Sequence, residues 1–502
     1  MFSREKEGKM ETHDNILTEE EREKRKQAIE ARREEERKAG AEKSKVLLIP
    51  TLIFAAITTL FLYDNFSGIT MPLFAVGAVA YIRYIYGKLR PDGEVKKGYI
   101  FYIIGMVLLA IADTYTARGG LIFYNNVLMF VLIVGLILYM FVDEEGWTIT
   151  KYLASGIEAV FGGIGCIADM ISDNAAAVKY NKNEKTKTLV YCVLGVLIFI
   201  PVGGAIIALL CSADAIFDDY LTKIIENFFS LETMVLIPLF FIFVFTCGYC
   251  GIRYIDGNKI SGEVKDRRVW PVAVANTVLL LIGIVYLLFS GIQIASVFLG
   301  QMQLPEGYTY ARYIHEGYLQ LMVVCFLNLC IVLFTKGFFK NHLSTKILLT
   351  VISICTYIML ASAAIRLAMY IEAYDLTMLR IEVAWSLVMI AICMFLVTVY
   401  VYIDQMKLMH MLMGVAVIGL FALSMMRPDE LIANYNLHSA KHVDYDYIYE
   451  LSVDAAPYIA ELNYYNINVT EYLEGELGDY KEYNGIRKFN FSKNRAKRYL
   501  DN

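Results

Sequence analysis

Eleven separate stretches of this 502-residue chain are each apolar enough and long enough to cross a lipid bilayer: 46–63, 69–87, 98–113, 121–142, 188–210, 234–252, 272–299, 318–335, 347–371, 383–403 and 408–426. A helix needs about 20 mostly apolar residues to cross a hydrocarbon core about 30 Å thick. Inside lipid the backbone must satisfy its own hydrogen bonds, so such stretches are helices. The alternating segments of about ten residues that would close a barrel are not written here. The expected fold class is all-α: a polytopic transmembrane helix bundle of about eleven spans, with a small tail after it.

Hydrophobic residues make up 57% of the chain, mean hydropathy is +0.48, and the charged 19% is unevenly placed. Taking the spans in order, alternate loops are basic. Lys26, Arg32, Arg33, Arg37, Lys38, Lys43 and Lys45 precede the first span, and five basic residues follow each of spans two, four and six. With Lys336, Lys340, Lys346 and Lys407, that side carries 26 basic residues against 5 on the other. Basic loops stay cytoplasmic, so the N-terminus is expected inside and the tail outside. The polar N-terminus has no short apolar core of a signal peptide, which leaves the first span as the expected insertion signal. Five regions follow: a charged cytoplasmic helix (1–45), four spans (46–142), a cytoplasmic loop with an interfacial helix (143–187), seven spans (188–426) and an extracytoplasmic tail (427–502).

The N-terminal arm pairs Glu20 with Lys24, Glu21 with Arg25 and Glu34 with Lys38 at helical spacing, which supports a solvated helix. It reads as a soluble lead-in or as a docking arm for a cytoplasmic partner or anionic lipid. The expected partners are the lipid bilayer and a cytoplasmic protein for this arm, with no nucleic acid. Cys247 and Cys250 form a C-x-x-C, and His438 and His442 stand four apart in the tail. The first spacing suits redox or metal chemistry, but no second pair accompanies it, and helix packing explains it better. The second reads as a polar turn before it reads as a metal site. No phosphate loop, zinc-protease, serine-hydrolase or kinase motif is present, so no cofactor or metal is expected, and the balance leans against an enzyme.

The most informative polar group sits at the expected outer ends of spans eight to ten. In Tyr310-Ala-Arg312-Tyr-Ile-His315-Glu316, Arg312 and Glu316 share a helix face. The run from Ser362 to Glu382 places Arg366, Tyr370, Glu372 and Arg380 in or beside apolar sequence, and Asp214 adds a carboxylate after span five. Charge at membrane depth is costly, so such groups pair with one another or line a wet cavity. Two readings compete: an outward-facing polar pocket built from Arg312, Glu316, Arg366, Tyr370, Glu372, Arg380 and Asp214, or ion pairs that lock helix ends together.

YARYIHEGYLQL, ASAAIRLAMYIEAYDLTMLR, SADAIF and DYIYELSVDAAPYIAEL resemble segments of an uncharacterised family of bacterial multi-spanning membrane proteins, a domain of unknown function. The resemblance covers about residues 190–465. It implies a bacterial plasma-membrane protein and assigns no activity. Arg366, Tyr370, Glu372 and Arg380 fit its pattern, whereas Arg312, His315 and Asp375 depart from it. Two classes of function stay open: non-enzymatic transport or sensing of a small solute or envelope component, and a membrane-embedded transferase or hydrolase acting on an envelope lipid at the outer leaflet.

Overall fold

The computed structural model describes residues 19–180, 184–214, 216–218, 235–257, 268–295, 310–440, 443–465, 469–478 and 485–500, with 221, 260, 262 and 480 besides; the side chains of 19–23, 26, 29, 33, 184–194, 196–197, 200–201, 310–316 and 463–465 lie outside this set. In chain order the helices are α1 (Glu19–Leu62), α2 (Thr70–Leu89), α3 (Tyr99–Tyr115), α4 (Gly119–Phe141), α5 (Ile149–Gly165), α6 (Ile167–Tyr180), α7 (Glu184–Ala213), α8 (Ile237–Asp256), α9 (Val272–Gln293), α10 (Tyr310–Phe338), α11 (Leu343–Tyr374), α12 (Met378–Tyr402) and α13 (Leu408–Met425). The tail adds α14 (Pro428–His438), α15 (Tyr445–Tyr449), α16 (Ala456–Ile459), α17 (Val469–Leu477) and α18 (Phe491–Leu500). No β-strand occurs among the described residues; one isolated bridge joins Trp270 and Phe339.

Within the described residues every expected span falls on a helix, but the count comes down. Eight helices are long and apolar enough to cross a membrane among the described residues, nine if α5 and α6 count as one. Three stretches fall short for physical reasons. Helix α3 has only 17 residues. Helix α2 is diluted by Tyr81, Arg83, Tyr84, Tyr86 and Lys88. Helix α7 contributes only Val202–Ala213 as a described apolar stretch. The stretch 153–172, expected as one interfacial helix, is two helices, α5 and α6, bent by 54° at Cys166. These helices mark a multi-pass membrane protein. Their large apolar side chains stay uncovered on one face, as at Leu280, Leu281, Ile284, Leu287 and Leu288 of α9, a pattern that a soluble surface avoids.

The chain divides into two compact units. The first comprises residues 1–60, 80–94 and 159–259. Here the charged arm is not separate from the first span: α1 runs through Pro50 without a break. Proline removes one helical hydrogen bond, and beside it Thr51 Oγ1 donates to the Leu47 carbonyl at 2.6 Å. Gly40 and Ala41 let α1 approach α6 closely. A Cβ at Gly40 would run into the Asp173 carboxylate, and Ala41 packs on Ala176 and Ala177. Asp173 takes the Arg253 guanidinium at 2.6 Å, and Asp256 takes Lys43 at 2.5 Å and Arg90 at 3.3 Å. Each of these ion pairs offsets part of the cost of burying its carboxylate.

The second unit comprises residues 61–79, 95–158 and 260–502. Helices α9 and α10 pack on α11, α10 and α11 on α12, α12 on α13, and α13 on α3 and α4. At one end of this bundle Lys96 pairs with Asp143 and Lys336 with Asp404. At the same end, His410 lies 3.4 Å from Glu144 with the rings of Phe101, Tyr102, Tyr139 and Tyr152 around it. The tail folds over the other end. Its core is Ile432, Ile448, Leu451, Val453, Ile459, Leu462 and Leu473, continuous with Leu121, Met378 and Leu423 of the bundle. Gly68 is required where the tail meets the bundle: its φ is +83°, and a Cβ there would meet the Phe489 carbonyl. Only glycine takes that conformation freely.

Candidate functional site

Helix α11 carries Arg366 one turn beyond Ser362, so both side chains leave the same face. Both donate to one acceptor, Oε1 of Gln293, the last residue of α9: Ser362 Oγ at 2.6 Å and Arg366 Nη2 at 3.0 Å. Arg366 is only 6% exposed. Opposite it α10 presents Gly317, where a Cβ would collide with Arg366 Nη1. The glycine is therefore what leaves room for the guanidinium beside α10.

Below this polar head runs a cleft of about 450 Å³. Val285, Tyr286 and Phe289 of α9 form one wall, Gln320, Leu321 and Val324 of α10 the other, and Met359 with Arg366 the α11 side. Tyr286, which lines the cleft, is held by hydrogen bonds: its Oη donates to Asn328 at 2.6 Å, and Asn328 Nδ2 to Thr356 Oγ1 at 2.9 Å. Val285 is 60% exposed, so the cleft reaches the apolar flank of the bundle. An apolar cavity of this size with a few converging polar groups is the usual form of a small-molecule site.

Arg380 is built differently. It starts α12, and its Nη1 donates to the Tyr374 and Asp375 carbonyls, closing the α11–α12 turn. Asp375, at φ 63°, turns the chain there. The guanidinium carbon lies 4.4 Å from the centroid of Tyr370, whose ring is 5.8 Å from Tyr318 and 4.9 Å from Tyr374. A desolvated cation over an aromatic face gains about 2 kcal/mol.

The structure thus brings Arg380 and Tyr370 together and sets Arg366 with Gln293 and Ser362. Glu372 is exposed and makes no ion pair among the described residues. Asp214 is exposed in the first unit and accepts from the Ile216 and Phe217 amides. Arg312 and Glu316 stand in the first turns of α10, but their side chains, like that of His315, lie outside the described residues. Sequence reasoning missed Gln293, Ser362 and Gly317. The usable signal was a lone amide near the end of an apolar span.

The tail is held by two buried carboxylates that the sequence did not single out. Asp454 accepts from Thr116 Oγ1 at 2.7 Å, from the Ala117 amide at 2.9 Å and from Ser492 Oγ. Asp429 takes Arg118 at 2.9 Å and the Ser452 amide at 3.0 Å. Burial pushes the Asp454 carboxyl above its ordinary range, while the bonds from Ser492, Thr116 and Ala117 pull the other way. In the other motifs, Cys250 is buried and Cys247 exposed. His438 lies 3.4 Å from Glu461, and His442 lies outside the described residues. Among the described residues no group of three or more His, Cys, Asp or Glu could hold a metal.

A family model described as a domain of unknown function matches residues 100–462. The match begins well before residue 190, so it takes in α3 and α4 as well as the segments that carry the resemblance. No curated protein and no solved structure matches.

Proposed function

The chain belongs to that family, DUF4153, and from this premise we propose that it is a non-enzymatic plasma-membrane protein that transports or senses a small amphipathic solute or envelope component. The observation that carries this reading is the cleft between α9, α10 and α11. Its walls are apolar, and Arg366, Gln293 and Gln320 supply the polar end. Such a site suits a ligand with an apolar body and a polar or anionic head. In this reading the membrane is bacterial, the N-terminus is cytoplasmic and the tail is extracytoplasmic. The support for orientation is the basic-loop asymmetry, counted with α2, α3 and α7 crossing beside the eight long apolar helices. Within the second unit, Lys96 and Lys336 stand at the end opposite the tail.

The test is mass spectrometry of small molecules and lipids that co-purify with the protein in mild detergent. Val285→Trp, at a half-exposed wall residue away from Arg366, narrows the cleft. A ligand present with the wild type and depleted about tenfold in the variant, at an unchanged melting temperature, is the expected result; tenfold corresponds to about 1.4 kcal/mol. Identical co-purified content in both proteins would remove the cleft as a binding site. Conversion of the bound molecule on incubation would shift the reading to a transferase or hydrolase.

A further inference from the structure

A second polar cluster lies in the second unit, away from the cleft, on α3, α4 and α13. Asp113, Asn125 and Ser424 are each completely buried. Asn125 Nδ2 donates to Asp113 Oδ1 at 2.9 Å and to Ser424 Oγ at 3.1 Å. That leaves Oδ2 of Asp113 and Oδ1 of Asn125 buried with no donor reaching either. No lysine, arginine or histidine pairs with Asp113 among the described residues. The charged groups on the neighbouring elements are engaged elsewhere: Arg118 with Asp429, Asp454 with Thr116 and Ser492, and Asp64 with Lys488.

A buried carboxyl without a cation is costly when ionised, and an acceptor oxygen facing no donor adds to that cost. One positive particle beside Asp113 Oδ2 offsets the first cost, and beside Asn125 Oδ1 the second. We propose that Asp113, Asn125 and Ser424 form a buried monovalent-cation site, occupied by a proton on the Asp113 carboxyl or by a sodium ion among the three side-chain oxygens. Hard cations take carboxylate, amide and hydroxyl oxygens of this kind. Ionisable groups within membrane helices commonly mark ion pathways or proton relays. The tail closes the site from above: Asn490 Nδ2 donates to the Asp113 carbonyl at 3.1 Å and to the Thr116 carbonyl at 3.0 Å. The inference does not depend on the cleft at Arg366.

The experiment uses the purified full chain in detergent. Its melting temperature is followed against sodium chloride, with choline chloride holding ionic strength constant, and infrared difference spectra are taken between wild type and Asp113→Asn at neutral pH. A saturable rise in melting temperature with sodium, lost in Asp113→Asn, identifies sodium. No sodium response, with a protonated-carboxyl band in the wild type that Asp113→Asn lacks, identifies the proton. No sodium response and no such band overturns the proposal. Should Asp113→Asn not accumulate, Asn125→Ala carries the same test. It removes the bond to Asp113 Oδ1, so it should weaken the sodium response several-fold or shift the carboxyl band to higher frequency. A sodium titration and a carboxyl spectrum both unchanged in Asn125→Ala would equally overturn it.

Discussion

Arg366 and Arg380 stand fourteen positions apart on neighbouring helices, yet each is held in its own way. Arg366 shares the Gln293 carbonyl with Ser362, whereas Arg380 binds turn carbonyls and the Tyr370 face. Glu372, the acid that spacing places nearest to Arg366, points to the exposed surface. Arg366→Ala should therefore cost about 2–4 kcal/mol, from lost packing and a charged hydrogen bond. Glu372→Gln should stay within about 0.5 kcal/mol of wild type, as exposed substitutions do. Melting curves in detergent check both, and an equal loss in the two variants would show that Glu372 is coupled to Arg366. The Asp454 carboxyl makes a pH prediction. Burial raises its value in the folded protein above the ordinary 3.8, despite the bonds from Ser492, Thr116 and Ala117. The folded state then binds the proton more tightly than the unfolded one. Its contribution is fully present below about 3.8 and is lost as pH rises through the folded value. The folded tail should therefore gain stability as pH falls from neutral, even though the bonds from Thr116 and Ala117, which favour the ionised form, weaken. The melting temperature followed against pH reads this, and Asp454→Asn should flatten its pH dependence.

At the scale of elements, the helices follow the apolar stretches closely, because a transmembrane helix is defined by a local property of the chain. What the pattern does not carry is where a helix continues, bends or docks. The charged arm and the first span are one helix through Pro50, since charged residues of good helix propensity continue a helix as readily as apolar ones. The break at Cys166 follows a glycine-rich run, Gly162, Gly163 and Gly165, which lowers helix propensity. The tail docks through α14, where Asn436 and Leu376 exchange two hydrogen bonds: Leu376 N to Oδ1 at 3.0 Å and Nδ2 to the Leu376 carbonyl at 2.9 Å. Asn436→Ala orphans both main-chain groups at a cost of about 1–3 kcal/mol each. Limited proteolysis of the segment after α14 should accelerate by about tenfold or more, the equivalent of about 1.4 kcal/mol. An unchanged cleavage rate would show that the pair does not hold the tail.

For the whole molecule the prediction is its orientation. Arg32 on α1 and Tyr445 in the tail are both exposed. In a functional chain freed of its native cysteines, an impermeant thiol reagent applied to intact cells should label Tyr445→Cys and leave Arg32→Cys unlabelled. Labelling of position 32 from outside would reverse the orientation drawn from the basic loops. Sequence alone determined the all-α class, the location in a membrane and the approximate position of every long helix, because apolar length and backbone self-satisfaction act within a single segment. It also pointed to Arg366 and Arg380, since charge inside apolar sequence is conspicuous. Tertiary structure decided which polar groups meet. Asn125 finds Ser424, Thr116 finds Asp454, and Arg366 finds Gln293 across 299, 338 and 73 positions of chain. Those partners are set by how helices pack and by where a small residue such as Gly317 lets two of them approach, and no periodicity within one segment encodes that contact.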